Sequence, residues 1–337
     1  MCFSLNLLHE FPQVLFVESH RVHINLYHLP IHLKLLPQIH KLNSPLLSID
    51  ISFCFFIRVI EAKCNPSLRS KIEKREEQEM DDEIVRFIVS TDNHLGYCDR
   101  DPVRCNDSFA AFEEVLRNAV SRNVDFVLLA GDLFHENKPT RKTMHATLEL
   151  LRKYCLGPEP VYLEILNDQR EIFKSSNKVN YEDPFYSVKL PVFSIHGNHD
   201  DPSREGGTGE ALAALDLLSI SNLVNYFGKT ETVDDVEITP ILMQKGSTKV
   251  ALYGIGAIRD ERLNRMWNQK RVKFVRLSQE QGRDEFFNIF VIHQNRDYGR
   301  GKKNCIHESM IPEWIGKKIS IFEIYLNFLF RLGYLGK

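Results

Sequence analysis

Short apolar runs alternate with helical periodicities along the chain from residue 84 onward. Runs rich in β-branched and aromatic residues predict buried strands at 84–90, 125–130, 190–195, 250–255 and 287–292. Apolar residues that recur every three or four positions predict helices over 109–122, 140–154 and 210–220. This alternation is typical of an α/β domain with a mostly parallel central sheet.

Two stretches do not follow this pattern. Residues 1–79 show no sustained helical or strand period, and their six histidines are irregularly spaced. We expect this stretch to be a disordered extension without a fold of its own, because Met80 opens a segment that resembles a start of translation. Residues 156–187 are polar and irregular, which predicts a surface excursion.

The composition is that of a soluble globular protein, with 43% hydrophobic and 26% charged residues. Because the formal net charge is -2, any surface for nucleic acid must be a local basic patch. The cysteines form no CxxC pair, which argues against a zinc knuckle or a disulfide framework. The apolar run at 45–60 is too short to cross a bilayer, and the first residues lack the features of a signal peptide, so we expect no membrane partner.

Polar side chains that can bind metal or transfer protons follow four of the predicted strands. They are Asp92, His94, Asp132, Asn198, His199 and His293. In parallel sheets, ligands bind beyond the carboxyl ends of the strands. Carboxylates, an amide oxygen and imidazoles together suit manganese, iron or zinc better than calcium. Each residue alone is more often a cap or turn residue, but four such clusters in order predict a metal centre.

A centre of this kind is suited to phosphoester chemistry. Two divalent cations a few ångströms apart can activate a water and stabilise an in-line displacement at phosphorus. A nearby histidine that is not a ligand can then protonate the leaving oxygen.

The motifs resemble those of a known superfamily. Asp92-x-His94, Gly131-Asp132, Gly197-Asn198-His199-Asp200 and His293 are similar to the motifs of calcineurin-like metallophosphoesterases. Longer strings at 91–97, 130–139, 182–188, 194–202 and 259–267 resemble the eukaryotic double-strand-break repair nucleases of the meiotic recombination eleven family, relatives of bacterial SbcD. The resemblance covers about 81–317 and implies a metallophosphoesterase domain at 80–317. The implied fold is an α/β β-sandwich flanked by helices, incomplete at its C-terminal end.

The resemblance also implies roles for individual residues. Two manganese ions would be held by Asp92 and His94 at the first position, by Asp132 between both, and by Asn198 and His293 at the second. His199 would be the catalytic proton donor or a phosphate-orienting group. His135 matches a position that influences the processing of DNA ends.

By the same resemblance, the activity would be 3′-to-5′ exonuclease and single-strand endonuclease cleavage of DNA in the nucleus. The implied partners are DNA, a coiled-coil SMC-like ATPase and nibrin, with residues 177–186 as a candidate nibrin contact. The helices predicted over 109–122 and 140–154 would take part in a homodimer.

The chain departs from the family pattern after Gly316. The superfamily has a Gly-His-x-His motif beyond the His293 strand that gives one more ligand to each metal, whereas no histidine follows His307 in this sequence. Residues 318–337 resemble nothing in the family, and we interpret them as an aberrant tail. The DNA-capping and ATPase-binding regions of the family are absent from the sequence. We therefore expect weakened metal binding and impaired nuclease activity.

Basic residues near these motifs are candidate DNA contacts. For the basic run at 259–276, contact with DNA phosphates and a solvated surface face are equally compatible with the sequence. For the basic residues after the last predicted strand, contact with DNA is favoured. The latter are Arg296, Arg300, Lys302 and Lys303. Two alternative functions stay open: another metallophosphoesterase that acts on phosphomonoesters, and a non-catalytic dimerisation or DNA-binding fragment.

Overall fold

Two β-sheets pack face to face in the computed structural model, with helices on both outer sides. The structure describes residues 13–18, 25–26, 83–203, 211–230, 235–279, 282–295, 301, 303–316 and 319–322. The strands are β1 Gln13–Glu18, β2 Asn25–Leu26, β3 Arg86–Thr91, β4 Phe126–Ala130, β5 Glu164–Ile165, β6 Val192–Ile195, β7 Asn225–Tyr226, β8 Val236–Ile238, β9 Ile241–Lys245, β10 Thr248–Ile255, β11 Val272–Phe274, β12 Phe286–Ile292 and β13 Ile319–Phe322. The α-helices are α1 Asp107–Ser121, α2 Arg141–Cys155, α3 Gln169–Ile172, α4 Ala214–Ile220, α5 Asp260–Asn268 and α6 Glu313–Gly316. Short 3₁₀ helices lie at Asn180–Glu182, Arg283–Glu285 and Glu308–Met310.

The first sheet has the strand order β2-β1-β3-β4-β6-β7. Its four strands from β3 to β7 are parallel, as predicted, and β1 pairs antiparallel with β3. The second sheet has the order β13-β12-β10-β9-β5 and is mixed, because β9 is antiparallel to both β10 and β5. The parallel strands β8 and β11 form a small third sheet. The predicted α/β sandwich flanked by helices is confirmed.

Side chains along the central strands of the first sheet point alternately to its two faces, and each face packs against a different layer of the fold. Phe87 and Val89 face the core between the two sheets, while Ile88 packs on the opposite side against α1. Phe87 stacks on Phe126 with ring centroids 4.8 Å apart, and Phe193 meets Phe126 edge to face at 5.5 Å. Each fully buried phenylalanine stabilises the fold by about 1.5–3 kcal/mol. The outer face of the second sheet is covered by α5 and α6.

The helices begin where the local chemistry satisfies their first N–H groups. Thr140 caps α2 by accepting the N–H of Thr143 at 3.2 Å, so this predicted start is confirmed within a residue. The helix predicted over 210–220 corresponds to α4, which begins later, at Ala214. The carboxylate of Asp216 accepts the N–H of Ala213 at 2.7 Å and fixes the first turn at this position.

The prediction that residues 156–187 form an irregular surface excursion is in part wrong. This segment contains β5 and α3, and the side chains of Phe173 and Val179 are fully buried in the core between the sheets. Its polar composition hid these anchors, since isolated apolar residues carry no period.

Parts of the two terminal stretches lie in the sheets. In the first 79 residues only β1 and β2 are described, and β1 pairs with β3 from Gln13 opposite Thr91 to Glu18 opposite Arg86. In the C-terminal stretch β13 pairs in parallel with β12, and the rest from residue 323 lies outside the described residues. The division into an extension, a domain and a tail stays a prediction. Across the described ranges, no helix has the length and apolar character needed to cross a bilayer.

A buried ion pair fastens the second sheet to the first. The Nζ of Lys245, at the end of β9, donates to Asp125 Oδ1 at 2.7 Å and to the carbonyl of Ile84 at 2.9 Å. The other oxygen of Asp125 accepts the N–H of Arg86 at 2.7 Å. Both side chains of the pair are about 90% buried, because their exposed fractions are 9% and 11%.

We predict that Lys245→Met lowers the free energy of unfolding by about 3–5 kcal/mol, because it leaves the Asp125 carboxylate buried and uncompensated. The matched control is Lys249→Met, since Lys249 pairs with the exposed Glu285 and should cost about 1 kcal/mol or less. Urea unfolding of both variants measures the difference. Equal losses would contradict the structural role of the buried pair.

Candidate metal centre

The loops after β3 and β4 run side by side at the carboxyl edge of the first sheet. The N–H of Asp92 donates to the carbonyl of Gly131 at 3.2 Å, and the N–H of His94 donates to the carbonyl of Asp132 at 3.0 Å. Asp92, His94 and Asp132 have φ angles of 53°, 44° and 48°, in the left-handed region. Each such residue costs about 1–2 kcal/mol. The fold therefore bears considerable strain to hold these three residues in place.

The carboxylate of Asp132 is the buried centre of the cluster. Its Oδ1 accepts the N–H of His199 at 2.8 Å. Its Oδ2 is buried and has no hydrogen-bond donor among the described residues, although His293 Nε2 lies at 3.4 Å and His94 Nε2 at 3.8 Å.

His293, which follows β12, brings the second sheet to this carboxylate. Its Nδ1 lies 2.9 Å from the carbonyl of Ala130 and must donate, because a carbonyl only accepts. The lone pair of neutral His293 is then on Nε2, which lies 3.2 Å from Asn198 Oδ1 and 3.4 Å from Asp132 Oδ2. Three acceptor atoms from three loops therefore face one another, an arrangement that a divalent cation would satisfy.

Asp92 and His94 extend the cluster on the other side of Asp132. The Nε2 of His94 lies 3.8 Å from Asp92 Oδ1, and Thr91 Oγ1 donates to Asp92 Oδ2 at 2.8 Å. One ligand atom each from Asp92, Asp132 and His293 lies within 4.8 Å of the others. Burial lowers the pKa of His94 to about 4, so its imidazole is neutral near pH 7 and can bind a metal.

His199 and His135 lie beside His94 at the solvent side of the cluster. The Nδ1 of His199 donates to the carbonyl of His135 at 2.8 Å, which leaves Nε2 as the free nitrogen. The rings of His199 and His94 have centroids 4.8 Å apart, and those of His135 and His94 5.3 Å. Burial lowers the pKa of His135, and the neighbouring His199 adds to this effect.

Two glycines make the close approach of the loops possible. A Cβ on Gly131, whose φ is 108°, would overlap the His293 ring. A Cβ on Gly197 would overlap the carboxylate of Asp132. Both positions therefore exclude side chains because the site occupies that space.

Asp200 has a role that its sequence context did not reveal. Its Oδ2 accepts the N–H groups of Leu133 and Phe134 at 2.9 and 3.2 Å, and its Oδ1 accepts the N–H of Gly197 at 2.7 Å. This fully buried carboxylate thus joins the loop that carries Asp132 to the loop that carries His199. Burial, with the charge of Asp132, raises the pKa of Asp200 to about 6. The only signal in the sequence was an acid directly after the Gly-Asn-His motif.

The structure thus brings together the predicted metal-binding and catalytic side chains of four loops, and their roles stay predictions. The candidate DNA contacts are described only in part. Lys303 is exposed, while Arg296, Arg300 and Lys302 lie outside the described residues.

Carboxylate, amide and imidazole groups at the strand ends of an α/β sandwich define a metallophosphoesterase with a divalent metal site. The family model of the calcineurin-like phosphoesterases matches residues 85–303, and the chain belongs to this family. This finding confirms the superfamily that the motifs indicated.

Relatives with repair functions share this region. The double-strand break repair protein MRE11 of Mus musculus is 50% identical over 237 residues, which cover 70% of this chain and 33% of the relative. The Arabidopsis thaliana protein of the same name is 49% identical over 241 residues, 69% of this chain and 33% of the relative. The double-strand break repair protein mus-23 of Neurospora crassa is 47% identical over 234 residues, 69% of this chain and 31% of the relative. The chain spans about a third of the length of these proteins.

We predict that Asp200→Asn weakens the binding of Mn²⁺ by about 10–100-fold, because the amide places N–H donors against backbone N–H groups and loosens both ligand-bearing loops. The control is Asp201→Asn at the adjacent exposed acid, which should change the affinity by about twofold at most. Isothermal titration calorimetry with Mn²⁺ measures both. Equal affinities for the two variants would rule out the positioning role of Asp200.

Proposed function

We propose that this chain carries the nuclease domain of a double-strand break repair protein, which hydrolyses phosphodiester bonds of DNA with two manganese ions. The observation that carries the proposal is the convergence of Asp132 Oδ2, His293 Nε2 and Asn198 Oδ1 on one another. The MRE11 and mus-23 relatives are double-strand break repair proteins, which supports the choice of DNA as substrate.

Five side chains would hold the ions. Asp92 and His94 would bind the first, Asn198 and His293 the second, and Asp132 both. Manganese fits a set in which carboxylate and amide oxygens outnumber imidazoles. When bound, a pair of such ions supplies an activated water and stabilises the charge that develops on phosphate oxygens.

The remaining residues orient groups and move a proton. The bond from His199 Nδ1 to the carbonyl of His135 fixes the His199 ring and leaves Nε2 facing away from that carbonyl. In the protonated imidazolium, Nε2 would give a proton to the leaving oxygen or orient the phosphate. The ring of His135 stacks on that of His199 with centroids 5.3 Å apart. His135 would influence the processing of DNA ends. His293 is held in a single orientation by its bond to Ala130.

DNA would be bound by basic side chains beside the centre. Arg296, Arg300, Lys302 and the exposed Lys303 follow His293 in the sequence, and such contacts would make the affinity depend on salt. The further proposed partners are a coiled-coil SMC-like ATPase, nibrin and a second copy of the chain, and the proposed location is the nucleus.

A second candidate is a non-catalytic DNA-binding or dimerisation fragment. The observation in its favour lies after Gly316, where the sequence lacks the Gly-His-x-His motif. The strand β13 pairs Phe322 with Ile292, the residue before His293. The sequence continues from Phe322 with Glu323, Ile and Tyr, and none of these is a histidine.

We predict that the polypeptide of residues 1–337 cleaves single-stranded DNA weakly in Mn²⁺, because each ion would lack an imidazole that the Gly-His-x-His motif supplies in the superfamily. A chimera that continues from residue 317 with the corresponding segment of the mouse relative should cleave at least about 100-fold faster, since loss of a direct ligand costs more than loss of an outer partner. Gel assays with single-stranded DNA measure both rates.

The controls separate the candidate functions. Asp132→Asn in the chimera should abolish cleavage, and a chelator should do the same to the unchanged chimera. Hydrolysis of an aryl phosphomonoester in preference to DNA would contradict the nuclease proposal. DNA binding without metal-dependent cleavage in the chimera would favour the non-catalytic alternative.

A further inference from the structure

Three histidine rings form a second cluster beside the carboxylates. One ring nitrogen each from His94, His135 and His199 lies within 4.8 Å of the others. All three residues are partly exposed, so an ion can reach them from solvent. We propose that these imidazoles form a separate site for Zn²⁺ or a similar transition-metal ion, and that its occupation prevents a cation from binding between Asp92 and His94.

The spacing of the nitrogens suits a tetrahedral ion. The Nδ1 atoms of His94 and His135 lie 3.5 Å apart, and two nitrogens bound to tetrahedral zinc at about 2.0–2.1 Å lie about 3.4 Å from each other. The third ring has its Nδ1 committed to the carbonyl of His135, which leaves its Nε2 lone pair available. Metal-binding histidines usually donate their second nitrogen to a carbonyl in this way.

The ligand type selects the ion. Imidazole suits zinc, copper and nickel, whereas manganese and magnesium favour carboxylate and carbonyl oxygens. Three histidines with one open position form a ligand set that binds zinc in proteins. This cluster and the carboxylate cluster around Asp132 should therefore prefer different metals although they are neighbours.

His94 belongs to both clusters and makes them mutually exclusive. Its Nε2 lies 3.8 Å from carboxylate oxygens of Asp92 and Asp132, while its Nδ1 faces His135. A neutral imidazole has one lone pair, so an ion on Nδ1 leaves the proton on Nε2. That nitrogen then donates to the carboxylates and cannot bind a cation there. Zinc bound to the three histidines should therefore inhibit DNA cleavage. This inhibition rests on the proposed function, whereas the existence of the zinc site does not.

Cobalt titration of the full chain tests the site, because Co²⁺ replaces zinc and absorbs strongly in visible light when it is tetrahedral. The chain and the control His145→Ala, at an exposed histidine of α2, should both show the tetrahedral bands. His135→Ala and His199→Ala should each lose these bands, and their affinity for Co²⁺ should be lower by about 10–100-fold or more. The histidines of residues 1–79 are the same in every variant and cancel in the comparison.

Asp92→Asn distinguishes the two clusters, since it removes a carboxylate ligand and leaves the three imidazoles. It should keep the tetrahedral bands, and zinc added to the unchanged chain preloaded with Mn²⁺ should release manganese, measured by electron paramagnetic resonance. Bands that persist in both His135→Ala and His199→Ala would overturn the proposal. Bands lost in Asp92→Asn but retained in those two would assign the ion to the carboxylates and overturn it as well. None of these measurements depends on cleavage of DNA.

Discussion

A buried carboxylate oxygen that lacks a hydrogen-bond donor is the constraint on which the architecture of this protein depends. Removing a charge from water costs several kcal/mol unless other groups compensate it. The imidazoles that face this oxygen of Asp132 come from both sheets, because His94 follows a strand of the first and His293 follows a strand of the second, and a divalent cation among them would compensate the charge. The cluster can therefore form only when the two sheets are packed together.

The site also shows where stability is given up for geometry. Three residues of the candidate site adopt left-handed backbone conformations, and two glycines admit contacts that a methyl group would block. The three hydrogen bonds to Asp200 hold the strained loops together from behind. Strain at a functional site persists only when the surrounding structure determines it in this way.

The sequence predicted the long central strands because their apolar runs are continuous, and β3, β4, β6, β10 and β12 lie within a few residues of the expected positions. It did not predict β5, β7 or β8, since strands of two or three residues carry no measurable period. The rule that ligands gather at strand ends indicated a set of residues that the structure brings together. The sequence could not predict which nitrogen of His293 carries the lone pair, because that tautomer depends on the carbonyl of Ala130, a residue 163 positions away. The buried role of Asp200 likewise depends on long-range packing.

The pairing of β13 with β12 has a consequence for how such proteins are judged. Backbone hydrogen bonds complete a sheet edge whatever side chains the added strand carries. The pairing of such a strand therefore does not depend on the side chains that follow it, and thermal stability or circular dichroism reports nothing about catalytic competence. The pairing of this edge strand is set by the main chain, whereas the chemistry of the candidate site is set by a few side chains beyond the strands.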